Sequence, residues 1–232
     1  PSVFPPFPER VDFDVFAAMI PAKNVGGDFY DFFFLDDDHL ALALGDVSGK
    51  GIPAALFMMS CRTLLRSLAV NSTSPAQCLS QVNRILCANN PFSMFVTLFY
   101  GVLDVRTGDF LYCNGGHNPP YRIKTEGSLE ALDCVSGPAL GFFEDAPYKQ
   151  SSMQIAPNES LFLYSDGVTE AEDLAKAFFG TERFENVLRT FPRATPKEMV
   201  EKVVESVRRF SSGAEQSDDL TALSLSYFGK KG

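Results

Sequence analysis

No Cys-x-x-Cys spacing occurs in this chain of 232 residues. Its five cysteines, Cys61, Cys78, Cys87, Cys113 and Cys134, are scattered and odd in number. That pattern excludes a cysteine zinc site or a dithiol redox centre and reads as reduced core thiols, which favours the cytoplasm. No apolar run approaches the roughly 20 residues that span a bilayer, and the N-terminus lacks the basic-then-apolar layout of a signal peptide. Basic charge is also short. The formal net charge is -9 with no concentrated basic patch to offset it, so nucleic acid and anionic membrane are excluded as partners. What is present is a hydrophobic content of 45%, enough for one sizeable core, and a single domain over residues 11–229 is expected. Residues 1–10 carry Pro1, Pro5, Pro6 and Pro8, which suit a linker from an upstream regulatory region.

Apolar periodicity predicts strands over 12–20, 29–35, 39–47, 95–105, 110–114, 121–123, 129–132, 152–155, 161–164 and 220–228. Asp36-Asp37-Asp38 and Arg106-Thr107-Gly108-Asp109 make turns, and a further hairpin is expected across Pro157-Asn158. A helix starts near Pro53, with Ala54, Leu56, Phe57, Met58, Leu64, Leu65 and Leu68 on its apolar face and Arg62 and Arg66 opposite. Ser74, Pro75 and Gln77 start a second. Two more are expected near 181–189 and from Thr195 through Met199, Val203, Val207 and Phe210 to about Gly213. Helix pairs separated by hairpin strands, without strand-helix alternation, imply an α+β layered fold built on antiparallel sheets.

The informative feature is where the aspartates fall. Four apolar segments run into Asp beside Gly or a second Asp: Gly26-Gly27-Asp28, Gly45-Asp46-Val47-Ser48-Gly49-Lys50-Gly51, Tyr164-Ser165-Asp166-Gly167 and Ser217-Asp218-Asp219-Leu220-Thr221. A single Asp-Gly is ordinarily a turn. Several carboxylates gathered at one sheet edge are different, because burial and mutual repulsion disfavour their charged forms unless a cation neutralises them. With Lys and Arg scarce beside them, hard divalent cations are the natural partners, and oxygen-only ligation suits magnesium or manganese. Two superficial motifs fail on inspection. The run from Gly45 to Lys50 is one residue short of a P-loop and has Gly51 where Ser or Thr is needed. Gly26-Gly27-Asp28-Phe29-Tyr30 lacks the acidic residue that a diguanylate cyclase hairpin would place at Phe29.

Taken in order, Val25-Gly26-Gly27-Asp28-Phe29-Tyr30-Asp31, the segment from Gly45 to Ala55, Gly115-Gly116-His117-Asn118-Pro119-Pro120, the segment from Leu163 to Glu170, and Asp218-Asp219-Leu220-Thr221 resemble the PPM metal-dependent phosphatases, in the bacterial branch typified by SpoIIE and RsbU. The resemblance implies a central sandwich of two antiparallel β-sheets flanked by α-helices, with two manganese or magnesium ions at one end. By position, Asp46 would bridge both metals, Asp28 would bind one, Val47 would lend its carbonyl, and Asp166 and Asp218 would complete the ligand set of the second metal. Asp219 would orient waters or help hold a third ion. It further implies hydrolysis of phosphoserine or phosphothreonine by a metal-bridging hydroxide, without a phosphoenzyme. The implied substrate is a phosphorylated regulator of the anti-sigma-factor antagonist kind. An upstream sensor domain, and a homodimer built through it, belong to the same picture.

The resemblance supplies no phosphate-binding arginine among the early residues, where Arg10 and Lys23 are the only candidates. His117 is expected to be structural and not a general acid, His39 a surface residue, and Ser48 and Lys50 the loop entering the first helix, where the resemblance also implies a regulatory coupling between helix position and metal occupancy. The competing reading is a domain of the same fold that docks partners without catalysis. Retention of Asp28, Asp46, Asp166 and Asp218 argues against it. A nucleotide cyclase or small-molecule phosphohydrolase would need a base-binding motif that the sequence lacks.

Overall fold

Strands that are apolar on both faces need a cover on each side, and the topology supplies one. The computed structural model describes residues 10–23, 26–132 and 136–229. One five-stranded antiparallel sheet has the order β1 (Phe13–Ile20), β10 (Leu220–Tyr227), β9 (Glu159–Tyr164), β6 (Tyr121–Ile123), β7 (Leu129–Ala131). The other has the order β2 (Phe29–Phe34), β3 (His39–Val47), β4 (Val96–Asp104), β5 (Asp109–Gly115), β8 (Ser151–Gln154).

The sheets share a core in which Leu40, Leu42 and Leu44 of β3 and Phe99 and Leu103 of β4 meet Leu161 and Leu163 of β9 and Leu223 and Leu225 of β10. The alternate residues of β3, Ala41 and Ala43, point outward, where they join a second core with Cys61 and Leu65 of α1 (Ile52–Ala69) and Leu79 and Val82 of α2 (Pro75–Ala88). Small alanines there let the helices lie close to the sheet, and this two-sided burial is why β3 reads as a blurred alternation in sequence. On the far side, α4 (Gly180–Thr190) and α5 (Pro196–Phe210) cover the first sheet through Phe184, Leu188, Met199, Val200 and Val203. The short α3 (Asp166–Thr169) follows β9 directly. The expected sandwich of two antiparallel sheets flanked by helices is therefore present.

The capping signals act as read. Ser74 accepts from the Gln77 amide, and Thr195 and Glu198 form a reciprocal capping box on α5. Three expectations need correction. The segments around Pro157-Asn158 are not a hairpin: β8 pairs with β5 in one sheet and β9 with β10 in the other, so this link passes between the sheets, with Asn158 at φ 69. Leu56 is not on the packed face of α1 but is 65% exposed. Arg62 and Arg66 do not face only water, because both reach Asp31 on β2.

The proline-rich residues 1–9 and Cys134 lie outside the described residues. Cys61, Cys78, Cys87 and Cys113 carry free thiols. Among the described residues no helix is long and apolar enough to cross a membrane.

Candidate active site

Register brings the aspartates of distant motifs to one end of the sandwich. Phe29 pairs with Gly45, so Asp28, just before β2, falls beside Asp46, near the end of β3. In the other sheet Tyr164 pairs with Ala222, and the Ser165 amide donates to the Thr221 carbonyl at 2.9 Å. Asp166, at the start of α3, thereby lies next to the strand that Asp218 and Asp219 precede.

Their electrostatics record the crowding. Asp28 is 2% exposed, its carboxyl is held well above the usual carboxylate range by burial and then by Asp46, and its Oδ2 has no hydrogen-bond partner among the described residues. The hydroxyls of Thr221 and Ser165 lie near enough to favour its charged form. Asp46 is pushed up to about 7 by burial, then by Asp166 and Asp218. Asp166 is raised by burial, Glu170 and Asp218, and lowered by the Gly167 amide and Lys50. An orphaned, buried carboxylate oxygen among mutually repelling carboxyls is a costly arrangement in a bare protein, and a cation resolves it. Among the described residues no three acidic, histidine or cysteine side chains close on a single point as a ready cage. A cation here would draw further oxygen ligands from backbone or water.

Asp219 behaves differently from its neighbours. Its Oδ1 accepts from the Ala22 amide at 2.8 Å and its Oδ2 from the Gly27 amide at 2.8 Å, so it pins the loop between β1 and β2 and thereby sets Asp28. The motif glycines make this approach possible. A Cβ on Gly26 would collide with the Asp219 carboxylate, and one on Gly167 with the Asp219 carbonyl. A Cβ on Gly27 would sit 2.9 Å from the Val47 carbonyl oxygen, which places that oxygen against the Gly26-Gly27-Asp28 turn.

Sequence reading missed two hydroxyls and underrated one lysine. Ser165, fully buried, donates through Oγ to the Asp219 carbonyl at 3.2 Å and accepts from the Thr221 amide at 3.0 Å. It laces β9 to β10 behind the carboxylates, and its place inside the Tyr164–Gly167 motif was the available signal. Lys50 is a basic neighbour within this scarcity: its Nζ lies 3.0 Å from Asp218 Oδ2. Lys23 and Lys50 line a cleft with Gly26, Gly27, Asp46, Asp218 and Asp219. Arg10 is at the opposite end of β1, where its guanidinium holds Asp12.

His117 is packed into the fold. It is 5% exposed, its Nδ1 lies 2.9 Å from Thr97 Oγ1, and Asn114 brackets its backbone by accepting from its amide and donating to its carbonyl. Burial lowers it to about 4, which keeps the ring neutral at pH 7. Ser48 fastens the loop after β3, its Oγ accepting from the Phe95 amide at 2.9 Å. Burial pushes the Cys61 and Cys78 thiols up to about 12, which leaves them without nucleophilic thiolate.

A family model described as Stage II sporulation protein E (SpoIIE) matches residues 36–228. Protein IcfG of Synechocystis sp. is 32% identical over 246 residues, covering 94% of this chain and 38% of that protein. Phosphoserine phosphatase RsbU of Bacillus subtilis is 31% identical over 219 residues, covering 94% of this chain and 64% of that protein. The chain thus spans less than two thirds of the length of either relative. Among solved structures, the RsbU and RsbW domains of a Mycobacterium tuberculosis protein superpose with a TM-score of 0.82 at 26% identity, over 95% of this chain and 61% of that one. The SiaA-PP2C domain of Pseudomonas aeruginosa gives a TM-score of 0.82 at 24% identity, over 92% of this chain and 85% of that one, a likeness of fold.

Proposed function

The chain belongs to the SpoIIE family, and on that premise we propose that it is a metal-dependent serine/threonine protein phosphatase acting in the cytoplasm on a phosphorylated regulator of the anti-sigma-factor antagonist kind. The name of RsbU, a phosphoserine phosphatase, supports the activity. The observation that carries the reading is Asp28 Oδ2, which has no hydrogen-bond partner among the described residues and is buried beside an Asp46 whose carboxyl is pushed up to about 7. Acidic side chains held in that state at the ends of strands from both sheets fit a site for hard divalent cations.

Asp28, Asp46, Asp166 and Asp218, with the Val47 carbonyl, are the oxygen donors that would hold two manganese or magnesium ions. Bound there, such ions lower the pKa of water to supply hydroxide and neutralise phosphoryl oxygens. The protein's own contribution is placement. Asp219, with both carboxylate oxygens accepting amides, serves as an organiser of the Asp28 turn more readily than as a ligand of a third ion. Ser165 and Thr221 fix the neighbouring ends of β9 and β10 against it. Lys23, exposed on the rim of the cleft, offers a positive charge to an incoming phosphoryl dianion. An upstream sensor, with dimerisation through it, completes the proposal by supplying the signal.

Turnover of a phosphoserine protein and of a generic phosphate ester, with manganese, magnesium or chelator, tests this against Asp46→Asn. Activity that needs the metal and collapses in the variant supports it. A folded chain that is inactive under every metal condition overturns it and favours a docking module, and activity undiminished by chelator overturns the metal-dependent mechanism.

A further inference from the structure

Among the described residues, Asp218 is the one member of the candidate ligand set with an ion-pair partner. Lys50 Nζ lies 3.0 Å from Asp218 Oδ2 and donates to the Ser217 carbonyl at 2.6 Å, so a single ammonium grips the segment just before β10 by side chain and backbone together. Its charge also acts on Asp166. Lys50 therefore stands where a cation is wanted by two of the four carboxylates.

The local sequence is built to let it leave. Lys50 sits between Gly49 at φ 85 and Gly51 at φ 83, and nothing lies within 4 Å of where a Gly51 Cβ would be. Both sides of the ion pair are 45% exposed, and an exposed pair is weak because water and salt screen it. A lysine on a flexible four-carbon stem is a single point charge. It can soften the repulsion around Asp218 but cannot neutralise the set, and it offers no ligand field to the remaining oxygens. The cleft it closes, lined also by Lys23, Asp46 and Asp219, has only about 10 Å³ of free space, room for about one water.

Resting on the phosphatase reading above, we propose that Lys50 is a tethered placeholder cation: it occupies Asp218 in the metal-free protein and must be displaced for Asp218 to accept a divalent ion. Lys50 is thus a positioning residue that sets metal affinity and does not itself touch the reacting atoms.

The test is manganese binding by titration calorimetry and by the spin-resonance signal of free manganese, on the native chain, Lys50→Met and Lys50→Arg, with thermal unfolding in chelator and at saturating manganese. Lys50→Met is expected to bind the weaker manganese about two- to fivefold more tightly, the range set by losing an exposed ion pair as competitor. Lys50→Met should melt lower than the native chain in chelator yet match it at saturating manganese. Lys50→Arg, which keeps the charge, should bind like the native chain. Unchanged or weakened binding in Lys50→Met while the native chain binds manganese overturns the placeholder role and leaves the phosphatase reading standing. Failure of the native chain to bind manganese overturns both.

Discussion

Arg66 grips Asp31 with two parallel hydrogen bonds, its Nε and Nη2 each donating to a different carboxylate oxygen at 2.6 Å. Arg62 adds an ion-pair contact, its Nε 3.0 Å from Asp31 Oδ2. Asp31 is 3% exposed on β2, three residues after Asp28, so these arginines tie α1 to the strand that leaves the candidate site. Removing one partner of a buried pair leaves an uncompensated charge, the expensive case. Asp31→Ala should lower the unfolding free energy by about 3 kcal/mol. Arg66→Ala should lose less, because Arg66 is 44% exposed and Arg62 remains. Urea titrations of both variants check the order; equal, small losses would mean that the pair does not carry the attachment of α1.

Gly167 tests the close approach of the neighbouring ends of β9 and β10. A methyl group there would meet the Asp219 carbonyl, a backbone atom that cannot swing away as a flexible side chain can. Gly167→Ala should therefore shift Asp166 relative to Asp218, and displacement of a catalytic constellation by about 1 Å can lower turnover about 100-fold. Phosphatase turnover with a parallel circular-dichroism melt checks it. Full activity in a folded variant would show that this contact is not needed.

The layers of the fold were legible because their signals are local: capping residues, turn glycines and apolar periodicity all reside in short windows. The candidate carboxylates were legible as a set because each borders an apolar segment beside glycine or a second aspartate. What the sequence hides is pairing at a distance. The link at Pro157-Asn158 looks like a hairpin turn, and only the partners of β8 and β9 reveal that it changes sheets. Arg62 and Arg66 look solvent-facing on a helical wheel, because a wheel does not show the buried acid on β2 that draws them in. Lys50 was visible in its motif, but its contact with Asp218 spans 168 positions of chain from 50 to 218, and no local pattern announces it.

His117 supplies a pH prediction with a definite sign. Its folded value is lowered from 6.5 to about 4 by burial, so between those values the unfolded chain binds a proton that the folded chain refuses. Its contribution to stability is complete above pH 6.5 and is lost as pH falls toward 4, about 3 kcal/mol over the window by linkage. The carboxyls titrate in the same range, so the informative quantity is the difference in pH slope between the native chain and His117→Gln. The native chain should lose more stability per pH unit between 6.5 and 4 than the variant. Parallel slopes would mean that the ring accepts a proton in place.

Asp28 and Asp46 have the opposite sign. With Asp46 pushed up from 3.8 to about 7 and Asp28 raised by the same burial and by Asp46 itself, the folded metal-free chain binds protons between pH 4 and 7 that the unfolded chain has released. Metal-free stability from these groups therefore falls as pH rises through that window. A divalent ion competes with those protons for the same oxygens, so manganese affinity should rise as pH goes from 5 to 8, with proton release on binding that is largest below 7. The fall in melting temperature caused by chelator should accordingly be greater at pH 8, where the bare carboxylates are charged, than at pH 6, where protons already relieve them. Calorimetry in buffers of different ionisation enthalpy measures the released protons directly. A manganese affinity flat from pH 5 to 8, with no proton release, would mean that Asp46 is ionised before the metal arrives and that burial and its neighbours do not hold it up.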